Sequence, residues 1–351
     1  MDVARRLLVV AAGVTLLAIA GSPCAADESP GQLLSMAHVQ VVTHFTDFNR
    51  LMGTSEAADL DVRLRTDMYE LSADERPDSF PVADWNRRLS SIAELDSSIV
   101  RQVLAGKSDP LPGTRGLAER LFVARGDGTL QPYAIYVPAT LGADSALVIL
   151  LHGQPQTESE ILSWPYFQSL AERTGTIIVA PWGRGNYDFA QPAADEVYQV
   201  LDEVSAAFHI RPRRLYLAGY SMGGFSVFKV GPLHGNRWAA VMCISGAVLN
   251  SEADAVRRAF YDTPFYVVTG AHDDTIPAAY GELTAEYLAS VGIPTEFDEE
   301  PSGTHYLASL VPALTKAWSD MLAGVLKNPP PQTADALSLQ FRLPSGTGMK
   351  P

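Results

Sequence analysis

The stretch that most constrains the fold is Leu215-Tyr216-Leu217-Ala218-Gly219-Tyr220-Ser221-Met222-Gly223-Gly224. A short apolar run enters Gly-x-Ser-x-Gly, and a helical pattern begins near Phe225. A buried strand that turns sharply into a helix needs small residues two positions to either side of the turning residue, and Gly219 and Gly223 meet that need. Ser221 is then held out of the sheet at a helix N-terminus, where the local field favours a developing negative charge. Five residues alone would mark no more than a tight turn. With a strand before them and a helix after, they predict a nucleophilic serine.

A serine hydroxyl is a weak nucleophile, so a base must take its proton and a carboxylate must orient that base. The chain offers both on loops that follow later strands. Phe265 to Gly270 is an apolar strand that leads into Ala271-His272-Asp273-Asp274-Thr275-Ile276-Pro277. Asp273 stands three residues after Gly270 and four before Pro277, a spacing that favours it over Asp274 as the acid. His272 is adjacent to Asp273 and is expected to point elsewhere. Of the seven histidines, only His305, in Gly303-Thr304-His305-Tyr306, lies downstream of the acid. An anionic intermediate also needs backbone donors. The amide of Met222 is one candidate. The amide of Gln154, on the His152-Gly153-Gln154 loop, is the other. No His-Glu-x-x-His pattern or spaced ligand cluster is present, so neither metal nor cofactor is expected.

The surroundings of these residues alternate strand and helix. Arg120–Ala124 and Tyr133–Val137 read as a hairpin turning at Gly126-Asp127-Gly128. Val148–Leu151, Thr176–Ala180, Leu215–Ala218, Val241–Ser245, Phe265–Thr269 and Thr295–Asp298 read as further strands. Helices are expected over 160–174, 193–208 and 306–326. This pattern predicts a mostly parallel sheet covered by helices on both faces, with function gathered at the carboxyl ends of its strands.

Ahead of the sheet, residues 27–106 read as a helical module. Leu34, Val41, Phe45, Phe48 and Met52 share one face, and Trp85, Leu89, Ile92, Ile99 and Val103 share another. His38 falls on the apolar side of the first helix and is expected to be a packed core histidine. Residues 107–117 are rich in Pro and Gly and read as a linker, and the catalytic domain is placed at 118–328. The tail, 329–351, opens on a proline run. Its alternating Leu337, Leu339, Phe341 and Leu343 fit a short edge strand or a loose tail.

Residues 1–26 read as a signal peptide. Arg5 and Arg6 precede an apolar run from Leu7 to Ala20, too short for a comfortable membrane span, and Cys24-Ala25-Ala26 offers a cleavage site. Cleavage after Ala20, or a lipoprotein beginning at Cys24, are the weaker alternatives. The expected product is exported, has no stable membrane span, and keeps Cys243 alone, which excludes an internal disulfide. The net charge of −14 argues against nucleic acid as a partner. The sequence leaves the oligomeric state open.

Residues 129–306 resemble the α/β-hydrolase superfamily, and in particular the secreted esterases related to the prolyl oligopeptidase catalytic domain. Thr129 to Pro138 is similar to their leading strand, Leu151-His152-Gly153 to their oxyanion loop, Ala180 to Asp188 to the loop after their next strand, and Arg214 to Gly224 to their nucleophile turn. The order Ser221, Asp273, His305 is also the order of that superfamily. The resemblance implies an α/β-hydrolase fold and a Ser-Asp-His hydrolase with those residues in those roles. Two departures stand out. The residues before the sheet are too few for the large propeller of the true oligopeptidases, and the resemblance says nothing about the helical module.

Only 246–263 separates two of the strands, enough for one helix and not for a lid domain, which favours a soluble ester as substrate. Trp182, Tyr187, Tyr220 and Tyr306, with Trp164 and Phe189, lie on loops near the expected site, where they fit either an aromatic pocket or anchors of those loops. The expected partner is a small-molecule ester. A small peptidase cleaving short peptides and a non-catalytic binding protein on the same fold are the alternatives.

Overall fold

A computed structural model of the chain describes residues 28–73, 76, 81–234, 237–326 and 335–345. The signal-peptide reading and the proline run after Asn328 fall outside the described residues.

The eight strands are β1 (Gly116–Val123), β2 (Leu130–Val137), β3 (Ala146–Leu151), β4 (Thr176–Pro181), β5 (Leu215–Tyr220), β6 (Ala240–Ile244), β7 (Phe265–Gly270) and β8 (Thr295–Glu300). They form one sheet in the order β1-β2-β4-β3-β5-β6-β7-β8. β1 and β2 pair antiparallel, as do β2 and β4, and every pair from β4 to β8 is parallel. The central strands are buried on both faces, which is why they read as unbroken apolar runs.

Side-chain alternation along each strand splits the core in two. Leu147, Ile149 and Leu151 of β3 join one core, which α7 (Ala193–Ala207), α8 (Met222–Val230), α9 (Asn250–Ala259) and α10 (Ala278–Ser290) cover. Ala146, Val148 and Leu150 join the other, under α5 (Glu158–Leu162), α6 (Pro165–Thr174) and α11 (Val311–Ala323).

Four helices precede the sheet: α1 (Pro30–Thr43), α2 (Phe45–Met52), α3 (Thr54–Ala73) and α4 (Val82–Ala105). They enclose a third core of Leu34, Val41, Phe48, Met52, Leu60, Leu64, Ile99 and Val103, which continues into Leu121 and Leu130 of the sheet and Trp182 on the loop after β4. Polar bonds reinforce that seam. Gln102 Nε2 donates to the Glu119 carbonyl at 3.0 Å, and Gln131 Nε2 to the Met52 carbonyl at 3.0 Å.

Several expectations need correction. The first helix breaks at His44, and the restart rotates Phe45 outward, leaving it 39% exposed. His38 is half-buried and pairs with Asp61 at 3.0 Å rather than lying in the core. β1 begins at Gly116, inside the expected linker. The helix over 160–174 is two helices, because Trp164 precedes Pro165 and takes extended backbone, which proline favours in its predecessor. The helix over 306–326 opens with a 3-10 turn at Leu307–Leu310. Within the described part of the tail, 335–345, the alternating residues form no strand: α12 (Ala336–Gln340) forms, Leu343 is buried, and the Asn250 side chain donates to the Leu343 carbonyl at 3.0 Å.

Candidate active site

The turn between β5 and α8 places Ser221 at φ 53° and ψ −115°, a backbone region that a non-glycine residue adopts only under strain. The surrounding packing imposes it. A Cβ on Gly219 would strike the Gly223 carbonyl, and one on Gly223 would strike the Leu151 carbonyl. Ser221 N donates to the Ile244 carbonyl at 2.9 Å, and Gly223 N donates to the His152 carbonyl at 3.0 Å. The turn is therefore fastened to the neighbouring strands on both sides.

Asp273 and His305 reach Ser221 from the loops after β7 and β8. Ser221 Oγ lies 2.9 Å from His305 Nε2. His305 Nδ1 lies 2.8 Å from Asp273 Oδ2 and 3.0 Å from Oδ1. Asp273 is buried, while Asp274 and His272 are exposed. Asp273 Oδ1 also accepts from the amides of Thr275 and Ile276 at 3.0 and 2.8 Å. Burial pushes this carboxyl up, but the bonds from His305 and from the two amides outweigh it and hold it below the usual range. A neutral imidazole that accepts from Ser221 at Nε2 carries its proton on Nδ1, toward Asp273.

The loop 152–157 closes the other side. Both ring nitrogens of His152 meet carbonyls at 2.9 Å, Nδ1 that of Gly153 and Nε2 that of Trp182. Among the described residues neither the Gln154 nor the Met222 amide donates to a backbone carbonyl. Gly153 faces Ser221 closely: a Cβ there would stand 3.0 Å from the Tyr220 ring and 3.1 Å from Ser221 Cβ. Gly153→Ala is expected to lower kcat/KM by roughly 10- to 100-fold, since displacements below 1 Å matter at such a site. Steady-state kinetics on the folded variant check this.

The aromatic residues divide. Tyr220 is buried with its ring 5.4 Å from that of His305, and its hydroxyl donates to the His305 carbonyl. Tyr306 meets Trp164 edge-on at 5.5 Å, and its enclosed hydroxyl has no hydrogen-bond partner among the described residues. Tyr187 is 60% exposed on its loop. Trp182 is buried in the core shared with the N-terminal helices, where it anchors its loop. Phe189 packs on His152 at 5.1 Å.

The sequence reading missed what holds these loops. Arg184, at φ 60°, binds Glu56 at 3.0 Å, Asp127 at 2.8 Å and Glu196, and so ties the loop after β4 to α3, the β1–β2 turn and α7. A second polar network, centred on Arg63, joins α3 and α4 to α5. The carboxylates of Asp67, Glu70 and Glu160 beside it lie within 4.8 Å of one another, close enough for a metal ion, with positive charge from Arg63 and Arg88 near Glu160. Cys243 is buried, and burial pushes its thiol up to about 12, consistent with an inert packing residue.

Burial raises the Glu160 carboxyl to about 7, against the pull of Arg88 and of the Thr157 amide. The folded chain then binds more protons than the unfolded chain between pH about 4.5 and 7, so stability falls as pH rises through that window. Asp67 and Glu119, also raised by burial, act in the same sense. Glu160→Gln keeps the neutral form and is expected to flatten the decline in Tm across this window by a few degrees, roughly the effect of 1 kcal/mol, as scanning calorimetry at stepped pH would show.

No family model matches the chain. Over 156 residues it is 28% identical to a bifunctional acetylxylan esterase/xylanase of Neocallimastix patriciarum, a match covering 43% of this chain and 23% of that protein. Over 193 residues it is 26% identical to a kynurenine formamidase of Salmo salar, covering 52% of this chain and 60% of that one. The chain thus spans less than two thirds of the length of either relative. Among solved structures, the fluorophosphonate-binding serine hydrolase F of Staphylococcus aureus superposes with a TM-score of 0.51 at 16% identity, covering 60% of this chain and 99% of that one. A ferulic acid esterase superposes with the same TM-score and identity, covering 62% of this chain and 99% of that one. At this identity the likeness concerns the fold. With this strand order, two antiparallel leading strands and a strand-turn-helix at Ser221, the chain is an α/β-hydrolase by fold.

Proposed function

We propose that the protein is an exported serine hydrolase, a carboxylesterase that acts on a soluble ester through an acyl-enzyme. The observation that carries this reading is the unbroken chain of hydrogen bonds from Ser221 Oγ through His305 to Asp273, assembled at the ends of three strands. Ser221 Oγ attacks the ester carbonyl while His305 Nε2 takes its proton, and Asp273 holds the ring and offsets its charge. The amides of Met222 and Gln154 receive the negative oxygen. His305 then gives the proton to the leaving alcohol, and water, activated by the same ring, releases the acid. Only α9 spans the interval between β6 and β7, which leaves no lid domain there and favours a soluble substrate.

The esterase named among the relatives supports an ester. The formamidase favours a second reading, a small amide, by the same acyl route. A panel on the mature chain separates them: p-nitrophenyl acetate and feruloyl esters against prolyl and alanyl anilides and a formanilide. The proposal expects ester turnover to dominate. Appreciable anilide or formanilide cleavage with negligible ester cleavage would sink it.

A further inference from the structure

The N-terminal helices grip the sheet domain through more than apolar packing. Arg63, on α3, is 7% exposed, and its guanidinium touches three side chains on two other helices. On α4 it clasps Asp96, with Nε 3.1 Å from Oδ2 and Nη2 on Oδ1. On α5 its Nη1 donates to Glu158 Oε1 at 2.6 Å, and Nη2 donates to Ser159 Oγ. Ser159 Oγ in turn donates to Asp96 Oδ1 at 3.0 Å. Asp96, Glu158 and Ser159 are fully buried. A planar fork of donors meeting two desolvated carboxylates fixes position as well as charge.

Glu158 and Ser159 open α5, and the loop that leads into them is 152–157. That loop is therefore held at both ends. At its start, the His152 carbonyl accepts from Gly223, and the His152 ring meets the carbonyl of Trp182, whose indole lies in the core of the helical module. At its end, Arg63 fixes the first turn of α5. Between the two anchors lies Gln154, which is exposed.

We propose that Arg63 is a positioning residue for the reaction: by fixing Glu158 and Ser159 it fixes the Gln154 amide, so that the helices of 30–105 brace the anion-stabilising loop. This rests on the reading of Ser221 as nucleophile. It also gives the helical module a role in the chemistry that apolar burial alone would not.

Arg63→Lys keeps a positive charge but replaces the fork by a single point, which cannot hold Asp96, Glu158 and Ser159 together. The expected result is a fall in kcat of roughly 10- to 100-fold with KM within about twofold, since the loss falls on the transition state. Hydrogen exchange at the amides of 153–157 is expected to quicken by about tenfold or more. Leu64→Ala, on the same helix and buried in the module core, is the reference for mere destabilisation. It should lower Tm yet leave kcat within about twofold and the exchange of 153–157 unchanged. If Arg63→Lys does not fold, Ser159→Ala removes one hydroxyl from the same network and is expected to lower kcat by roughly threefold or more, with faster exchange in the same segment.

A folded Arg63→Lys with unchanged kcat and unchanged exchange overturns the proposal, as does an equal kcat loss in Leu64→Ala. If the wild type turns over no ester and takes no fluorophosphonate label at Ser221, it is the nucleophile reading that fails. The exchange comparison then decides the bracing role by itself.

Discussion

Ser221→Ala is expected to lower ester turnover by roughly four to six orders of magnitude while the chain stays folded. The rate loss follows from the route: without Oγ there is no acyl-enzyme, and the groups around it act as a unit, so what survives is the residual effect of binding and of the backbone donors. The fold should persist because Oγ bonds to His305 and the turn is held by other atoms, the Ser221 and Gly223 amides among them. Tm of the variant, measured beside its kcat, should stay within a few degrees of wild type. A large fall in Tm would mean that the rate loss reports unfolding and not chemistry.

The second large effect separates two adjacent acids. Asp273→Asn is expected to lower kcat by about 10⁴-fold, and Asp274→Asn to leave it within about twofold. An asparagine at 273 has one acceptor oxygen. The amides of Thr275 and Ile276 already claim the oxygen at Oδ1, so the side-chain NH2 would face His305 Nδ1. Two donors cannot share that contact, so the ring is driven to the tautomer that protonates Nε2, and it can no longer accept from Ser221. The same carboxylate contributes to stability. Its pKa is depressed in the folded chain, so the contribution is present above the ordinary aspartate range near pH 4 and is lost as pH falls through the lower folded value. Asp274 is exposed and carries no such role. Stopped-flow or steady-state kinetics on the two variants, with Tm as the control, check the assignment. Loss of activity in Asp274→Asn with retention in Asp273→Asn would reverse it.

The central strands were legible in the sequence because each is a short apolar run bounded by turn residues and buried on both faces, whereas β8 at the edge is polar and half-buried. Ser221 and Asp273 were legible as candidates because each follows such an apolar run, and His305 because it alone of the histidines lies downstream of the acid. The residues that hold them were not. Arg63 finds its acidic partners 33 and 95 residues away, and no local period marks a pairing over such distances. Arg184 likewise spans 128 residues to Glu56. The place of Trp182 was left open for the same reason: an aromatic residue on a loop after a strand can line a pocket or anchor the loop, and the N-terminal helices it packs against are distant in sequence. The break at His44 has no proline or glycine to announce it. In the tail, Leu337, Leu339 and Phe341 alternate as a strand would, but so short a run fits helix or strand, and what anchors the segment is Leu343 and its bond to Asn250.

The central claim is that Ser221 is the nucleophile. Its most direct test is to treat the folded protein with a fluorophosphonate and map the adduct by peptide mass spectrometry. The account predicts one phosphonyl group, on Ser221, that is absent from Ser221→Ala and slowed by His305→Ala. An unlabelled Ser221 in a folded wild type, or a label carried by another residue, would contradict it.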